Sequence, residues 1–377
     1  MNQLDPKTHL LEHSEAKLEL YDTYLAKYLN ILARTTYVDR IFIFDLLCGE
    51  GIYEMGEKGS PIMALETIKD HYYSNNRSCP NITIWFNDIG QSEIEHGVAK
   101  IDRVKRFGEK IYRPQNVNVE FFQEDYKSRY SKAIQLVNST YRAKGLFFID
   151  PYGYKAIKPE DIRKMLVGNN TEVLLWLPAS FMYRFANTLT RSDFKGGEPL
   201  KDFIFALFGN NSPTFKSVYD FIEQITGSFR AYLRELEVFV DTFTLERGGG
   251  NVYSLFFFTS HIKGYETMLA TKWDMDENRG KGHTIDKSLS FSEIQLESYP
   301  QKLIAFISST EFRTNGEIYK FGLENGFLPK HTNKLLREWK KDEKIEVVSL
   351  DGKPVKGFYI EYGSERRVGF RLKVNTM

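Results

Sequence analysis

Four apolar runs each lead into an acid: Asp45 closes RIFIFD, Asp88 follows ITIWFN, Asp125 follows VNVEFFQE and Asp150 closes GLFFID. If the runs are parallel strands, their carboxyl ends open on one crevice, where ligands sit in an open α/β sheet. Behind Asp45 comes LLCGEG, in which Gly49 and Gly51 lack Cβ atoms and let the main chain turn and approach a ligand closely. Asp88 has the place of an acid that accepts hydrogen bonds from ribose hydroxyls. Asp125 is placed for an adenine amino group, and Asp150 for the group that receives what the ligand transfers. Any one of these residues could equally make a turn after a strand. Their joint register with the strands is what points to a site.

Those acids need a frame. Residues 8–33 set Leu18, Tyr21, Leu25, Tyr28, Leu29 and Leu32 three and four apart, which predicts one amphipathic helix. Strands at RIFIFDL, ITIWFND, VNVEFFQED, GLFFIDP and TEVLLWLP alternate with helical patterns at SPIMALETIKDHYY, SEIEHGVAKIDRVKRF, YSKAIQLVNSTYR and KPEDIRKML. Alternation of this kind predicts a parallel, doubly wound sheet. The next two strands, LEVFVDTFTL and NVYSLFFFTS, are joined only by ERGGG and must be antiparallel neighbours. The fold class is therefore α/β, a Rossmann-like sheet laid out as in class I methyltransferases, with a helical insertion at about 180–234. From residue 298, three short helices followed by strands at KIEVVSL, GFYIEY and RVGFRLK make a winged-helix pattern. The expected domains are an N-terminal helical cap (1–34), the methyltransferase-like domain (35–297) and the winged helix (298–377).

IDPYG carries the sharpest chemistry. Methylating an exocyclic amine requires its lone pair to be freed from ring conjugation and aimed at the methyl donor. An acid accepting one N–H, a carbonyl at a proline turn accepting the other and an aromatic ring against the base supply this. Here those parts are Asp150, the Pro151 carbonyl and either Tyr152 or Tyr154. A D-P-P-Y sequence does the same in adenine-N6 methyltransferases, which also flip bases. In this chain the second proline is Tyr152 and the final aromatic is Gly153. Other chemistries fit less well. A nicotinamide fingerprint would need glycine where Glu54 stands, and no phosphate-binding P-loop is present. HLLEH, residues 9–13, has the spacing of a zinc-protease motif. It precedes the sheet and no further ligand stands out, so no metal is expected.

HSEAKLELYDTYL, IFIFDLLCGEGIYEMGEKGSPIMAL, GLFFIDPYGY and YSLFFFTSHIKGYETMLATKWDM together resemble the three-Cys-motif partner protein family. That family shows H-[ST]-x-x-K, then D-G-F-A-G-x-G-x-Y ending in G-S-P, then D-P-[FY]-G, and is methyltransferase-like. His13, Ser14 and Lys17 match its first motif; Asp45, Gly49, Gly51 and Tyr53 its glycine-rich one; Gly59, Ser60 and Pro61 the close of that block; and Asp150, Pro151 and Gly153 the last. Leu46, Leu47 and Cys48 depart from the family's Gly-Phe-Ala. The resemblance implies S-adenosylmethionine as cofactor, with His13 and Lys17 joining Asp45, Gly49, Gly51, Asp88 and Asp125 around it. It also implies a protein partner carrying a three-cysteine motif like that of radical S-adenosylmethionine proteins. A more distant likeness to rRNA adenine-N6 methyltransferases favours a nucleic-acid amine as acceptor.

Composition sets the outer limits. The 377 residues are 42% apolar with a formal charge of +1, which neither demands nor excludes nucleic acid. No apolar run reaches the roughly 18 residues of a membrane span, so a cytoplasmic protein is expected, with no membrane partner. Cys48 and Cys79 make neither a disulfide framework nor a zinc cluster. Charge is uneven, however: residues 330–377 hold twelve Lys and Arg against seven Asp and Glu. Within KHTNKLLREWKK, Lys330, Lys334, Arg337 and Lys341 fall on one helical face, a docking surface for phosphates or a solvated face on a protein-binding winged helix. Two functions remain open: a methyltransferase acting on nucleic acid, and a methyltransferase-shaped module that binds nucleic acid or a partner with little or no catalysis.

Overall fold

The computed structural model describes residues 8, 12–75, 80–151, 157–186, 198–209, 213–247, 251–275, 282–284, 293–364 and 367–373. The expectations on His9, Cys79, Tyr152, Gly153 and Tyr154 lie outside these residues. The chain divides into two compact units, residues 1–264 with 282–287, and residues 265–281 with 288–377.

The first unit is built on one sheet. Its strands are β1 (Arg40–Asp45), β2 (Asn81–Asn87), β3 (Val117–Phe122), β4 (Ala143–Ile149), β5 (Thr171–Leu177), β6 (Phe239–Arg247), β7 (Asn251–Thr259) and β8 (Gly282–Thr284). Their order across the sheet is β3-β2-β1-β4-β5-β7-β6-β8. The first five are parallel and β7 runs antiparallel between β5 and β6. This is the class I methyltransferase arrangement that the helix-free ERGGG connection predicts. The three-residue β8, which no hydropathy pattern announces, extends the edge. β5 is buried at every position, so both its faces are covered, as its unbroken apolar reading requires. Strand order reverses between β1 and β4, and that switch point is where a crevice opens at the carboxyl ends.

Helices α1 (Glu12–Leu32), α2 (Ser60–Asn75), α3 (Lys100–Gly108), α4 (Tyr126–Ser139) and α5 (Pro159–Leu166) surround the sheet, and α6 (Ala179–Ala186), α7 (Glu198–Phe208) and α8 (Val218–Tyr232) form the insertion after β5. The helix expected over 92–107 begins only at Lys100. Gly97 takes φ +79°, and the Ser92 hydroxyl accepts the amides of Ile94 and Glu95, so that segment closes into turns. α1 crosses the sheet by a ladder of contacts at three- and four-residue steps. Tyr21 stacks on Phe148 with ring centroids 4.1 Å apart, and Tyr24 meets Phe257 edge-on at 5.2 Å. Tyr24 also donates to Glu172, whose other oxygen accepts from Thr259 at 2.8 Å. Glu172 is fully enclosed, and burial pushes its carboxyl up.

Helix α9 (Ile262–Met275) begins in the first unit and continues in the second. The second unit holds α10 (Glu293–Ser308), β9 (Arg313–Thr314), α11 (Asn315–Glu324), α12 (Pro329–Lys341), β10 (Ile345–Ser349) and β11 (Val368–Leu372). Its core includes Leu303, Ile318, Leu336, Trp339 and Phe370, with Tyr299 stacked on Phe327 at 3.8 Å. Thr314 and Glu317 form a capping box at the start of α11, and Pro329 opens α12. GFYIEY, expected as a strand of the ribbon, pairs with no strand among the described residues. Its backbone is instead taken by α12, where Asn333 donates to the Ile360 carbonyl at 2.8 Å and accepts its amide at 3.0 Å.

Candidate cofactor and acceptor site

Asp45 ends β1 and is 1% exposed. Its Oδ2 accepts from the Ser60 hydroxyl at 2.6 Å. This contact explains the length of the block from Asp45 to Pro61: the loop runs out, closes through Gly59 N–H to the Gly51 carbonyl at 2.7 Å, and returns Ser60 to the acid as α2 begins. Burial, opposed by the Ser60 hydroxyl and the Leu47 amide and reinforced by Asp150 and Asp88, leaves the Asp45 carboxyl raised to about 7. Oδ1 is buried with no geometric hydrogen-bond partner among the described residues.

Gly49 and Gly51 both take left-handed backbone, φ +68° and +76°. Beyond that they differ. A Cβ on Gly49 would meet nothing within 4 Å, whereas one on Gly51 would come within 2.9 Å of Val104 on α3. Gly49 faces open space at the strand ends, and Gly51 is the point where the loop lies against a helix. Cys48 between them and Asp45 is buried, and burial pushes its thiol up, out of reach of nucleophilic chemistry.

Asn87 and Asp88 hold the neighbouring strand ends in place. Asn87, fully buried, donates to the carbonyls of Leu46 and Glu124 and accepts the Glu124 amide at 3.0 Å, tying the ends of β1, β2 and β3 together. Asp88 accepts the Gly49 amide on Oδ2 at 2.9 Å and the Gly90 amide on Oδ1 at 2.7 Å. Each oxygen retains a lone pair, so the backbone orients the carboxylate without exhausting it. Asp125 is exposed and caps α4, accepting from Lys127 N–H at 2.9 Å. Its Oδ1 is committed to the helix start, where it also accepts the Ser128 amide.

Two residues that sequence reasoning missed brace the glycine loop. Glu50, 2% exposed between the two glycines, pairs with Arg103 of α3, itself 4% exposed. Ser92 Oγ and the Glu93 amide each donate to Glu50 at 2.8 Å, and Arg103 also donates to the Ile52 carbonyl at 2.9 Å. The available signal was an arginine set between Ile101 and Val104 on the buried face of α3.

At the other side of the switch point, Lys17 donates to Asp150 Oδ2. The Lys17 ammonium also lies 6.0 Å from the ring centre of Trp176 on β5. Asp150 Oδ1 accepts no hydrogen bond among the described residues, and Pro151 behind it is buried. The Trp176 Nε1–H and the Tyr21 hydroxyl are both buried without hydrogen-bond partners among the described residues. His13 falls on the first turn of α1. The structure thus gathers Asp45, Asp88, Asp150, Lys17, Gly49 and Gly51 at the carboxyl ends of β1, β2 and β4.

In the second unit, Lys330, Lys334, Arg337 and Lys341 are all exposed on α12, and none has an acidic partner among the described residues. Buried Thr332, Asn333, Leu336 and Trp339 form the opposite face.

A GMT-like wHTH domain model matches residues 274–352, the span that holds α10 to β10. No curated protein shows a significant match to the chain. Among solved structures it is similar to Trm1 from Pyrococcus horikoshii, solved with S-adenosyl-L-methionine, at 12% identity over 67% of this chain and TM-score 0.37. The chain spans 58% of the length of that protein. It is also similar to a putative O-methyltransferase from Klebsiella pneumoniae, at 14% identity over 69% of this chain and 92% of that one, TM-score 0.29. A loganic acid methyltransferase solved with SAH matches at 10% identity over 62% and 74% of the two chains, TM-score 0.26. Identities this low transfer no residue roles. Among the described residues no helix is long and apolar enough to cross a membrane.

Proposed function

We propose that this chain is an S-adenosylmethionine-dependent methyltransferase that acts on nucleic acid, with an exocyclic amine such as adenine N6 as acceptor. The observation that carries the reading is the gathering of Asp45, Asp88 and Asp150 around a left-handed glycine loop at the switch point of the sheet. The residues fit the cofactor: Gly49 opens on free space, Asp88 has spare acceptor capacity toward ribose, and the unpaired Oδ1 of Asp45 suits a cationic ligand nearby. When bound, S-adenosylmethionine supplies an electrophilic methyl group on a sulfonium centre. The chain's own residues do the rest. Asp150 Oδ1 and the Pro151 carbonyl orient the amine by accepting its two N–H groups, while Lys17 fixes the Asp150 carboxylate through Oδ2. The sequence offers Tyr152 or Tyr154, both outside the described residues, as the aromatic for the base. Proximity and orientation drive the transfer, with no covalent enzyme intermediate. The basic face of α12 binds phosphates by charge.

Mass spectrometry of nucleosides from cells with and without the gene tests this directly; the loss of one methylated base is the expected result. Full methyl transfer by an Asp150→Ala variant would end the role given to that residue. A second reading, a methyltransferase-shaped binding module, draws on the D-P-Y-G departure from D-P-P-Y and on the use of Asp125 as a helix cap. Calorimetry separates the two, since a folded sample that does not bind S-adenosylmethionine is no such enzyme. The three-Cys-motif likeness adds a protein partner to either reading, testable by co-purification of the two chains.

A further inference from the structure

We propose that the second unit binds RNA through unpaired bases, with Tyr359 as a stacking platform beside the basic stripe of α12. The proposal rests on the nucleic-acid reading above and names the form of nucleic acid. Lys330, Lys334, Arg337 and Lys341 attract any phosphate chain and cannot by themselves choose between paired and unpaired strands. Tyr359 can choose. Its ring is 50% exposed, and the Arg337 guanidinium lies 5.8 Å from the ring centre, within cation–π reach. The ring is held outward by its neighbours in an extended segment, where side chains alternate in direction. Ile360 is fully buried, and Phe358 packs on Phe370 at 5.1 Å. α12 fixes the same backbone, through the Asn333 pair of hydrogen bonds to Ile360 and through Lys340 Nζ donating to the Lys356 carbonyl at 2.7 Å. A rigid, half-exposed aromatic next to uncompensated positive charge offers a base a face to stack on. In a duplex those faces are already stacked, whereas RNA loops and single strands expose them.

The test uses the full chain and fluorescence anisotropy with a 20-nucleotide unstructured RNA, the same sequence as an RNA duplex, and a DNA duplex, at several salt concentrations. The unpaired RNA should bind tightest. Tyr359→Ala should weaken that binding on the order of tenfold, with the salt slope and duplex affinity unchanged, and Tyr359→Trp should retain it. Lys334→Glu should weaken all three and reduce the salt slope. Equal or tighter binding to a duplex, or a neutral Tyr359→Ala, overturns the proposal and leaves the nucleic-acid reading standing. Absence of salt-dependent binding to all three overturns both.

Discussion

The Lys17 ammonium lies against the Asp150 carboxylate, joining α1 to the loop after β4 across 133 residues of sequence. The pair is partly enclosed, with side-chain exposures of 13% and 32%, so water does not fully screen it. Lys17 occupies Oδ2 and leaves Oδ1 open among the described residues, which under the proposed function makes Lys17 a positioning residue for the transfer.

That geometry makes Lys17 separable from the fold. Lys17→Met should lower methyl transfer on the order of 100-fold, the scale of a misplaced orienting group. Lys17→Arg should restore part of the rate because a guanidinium can hold the same carboxylate. Calorimetry with S-adenosylmethionine and thermal unfolding of the same variants provide the control. A rate loss in Lys17→Met that Lys17→Arg does not relieve would show that charge at this position is not what matters.

Asp45 links stability to pH and, under the proposed function, cofactor binding as well. Its carboxyl stands at about 7 in the native chain against 3.8 for the free group. Between those values the folded protein holds a proton that the unfolded chain has released, so stability falls as pH rises through the window. The loss totals roughly 4 kcal/mol for a displacement of this size. Asp45→Asn should flatten this decline in urea unfolding measured from pH 4 to 8. A cationic cofactor favours the ionised form, so affinity should climb from pH 6 toward 8 in the native protein and stay level in Asp45→Asn. A pH-independent affinity in the native chain would separate Asp45 from the ligand.

The strand-end acids and the glycine loop were legible in the sequence because strand period, turn glycines and the helix-free ERGGG connection are local signals. Asp125 was legible too, but as a helix cap: an acid directly before YKSRYSKA is an N-cap signature, and that role competes with ligand binding. The Glu50 and Arg103 pair was not legible, because a glutamate between glycines reads as solvent-exposed and its partner is 53 residues away. The helix expected over 92–107 failed where Gly97 and Ser92 favour turns over an apolar period that happened to continue. Lys17 came from a family resemblance; only the folded chain gives it Asp150 as a partner.

The buried Glu50 and Arg103 pair should be costly to break and cheaper to replace. Glu50→Gln leaves the enclosed guanidinium only the more exposed Glu95 carboxylate, 3.7 Å away, as counter-charge, and Arg103→Met leaves the Glu50 carboxylate with its Ser92 and Glu93 hydrogen bonds but without this cation. Each should destabilise by about 3–5 kcal/mol in chemical denaturation. The double variant removes both charges and should recover part of that loss. Additive losses in the double variant would mean that the two residues act independently.

Gly49 and Gly51 share a backbone conformation but should respond differently to alanine. Left-handed backbone costs an L-residue roughly 1–2 kcal/mol, and this applies at both positions. At Gly51 the new methyl also lands 2.9 Å from Val104 Cγ2, so the loop or α3 must shift, adding about 1–3 kcal/mol. Gly51→Ala should therefore be the less stable variant in urea unfolding. Gly49→Ala places its methyl in open space at the strand ends, where no protein atom resists it. Its main loss should be in S-adenosylmethionine affinity, because under the proposed function that space is where the cofactor approaches the main chain. Unchanged affinity in Gly49→Ala, with stability lowered only by the backbone cost, would place the ligand elsewhere.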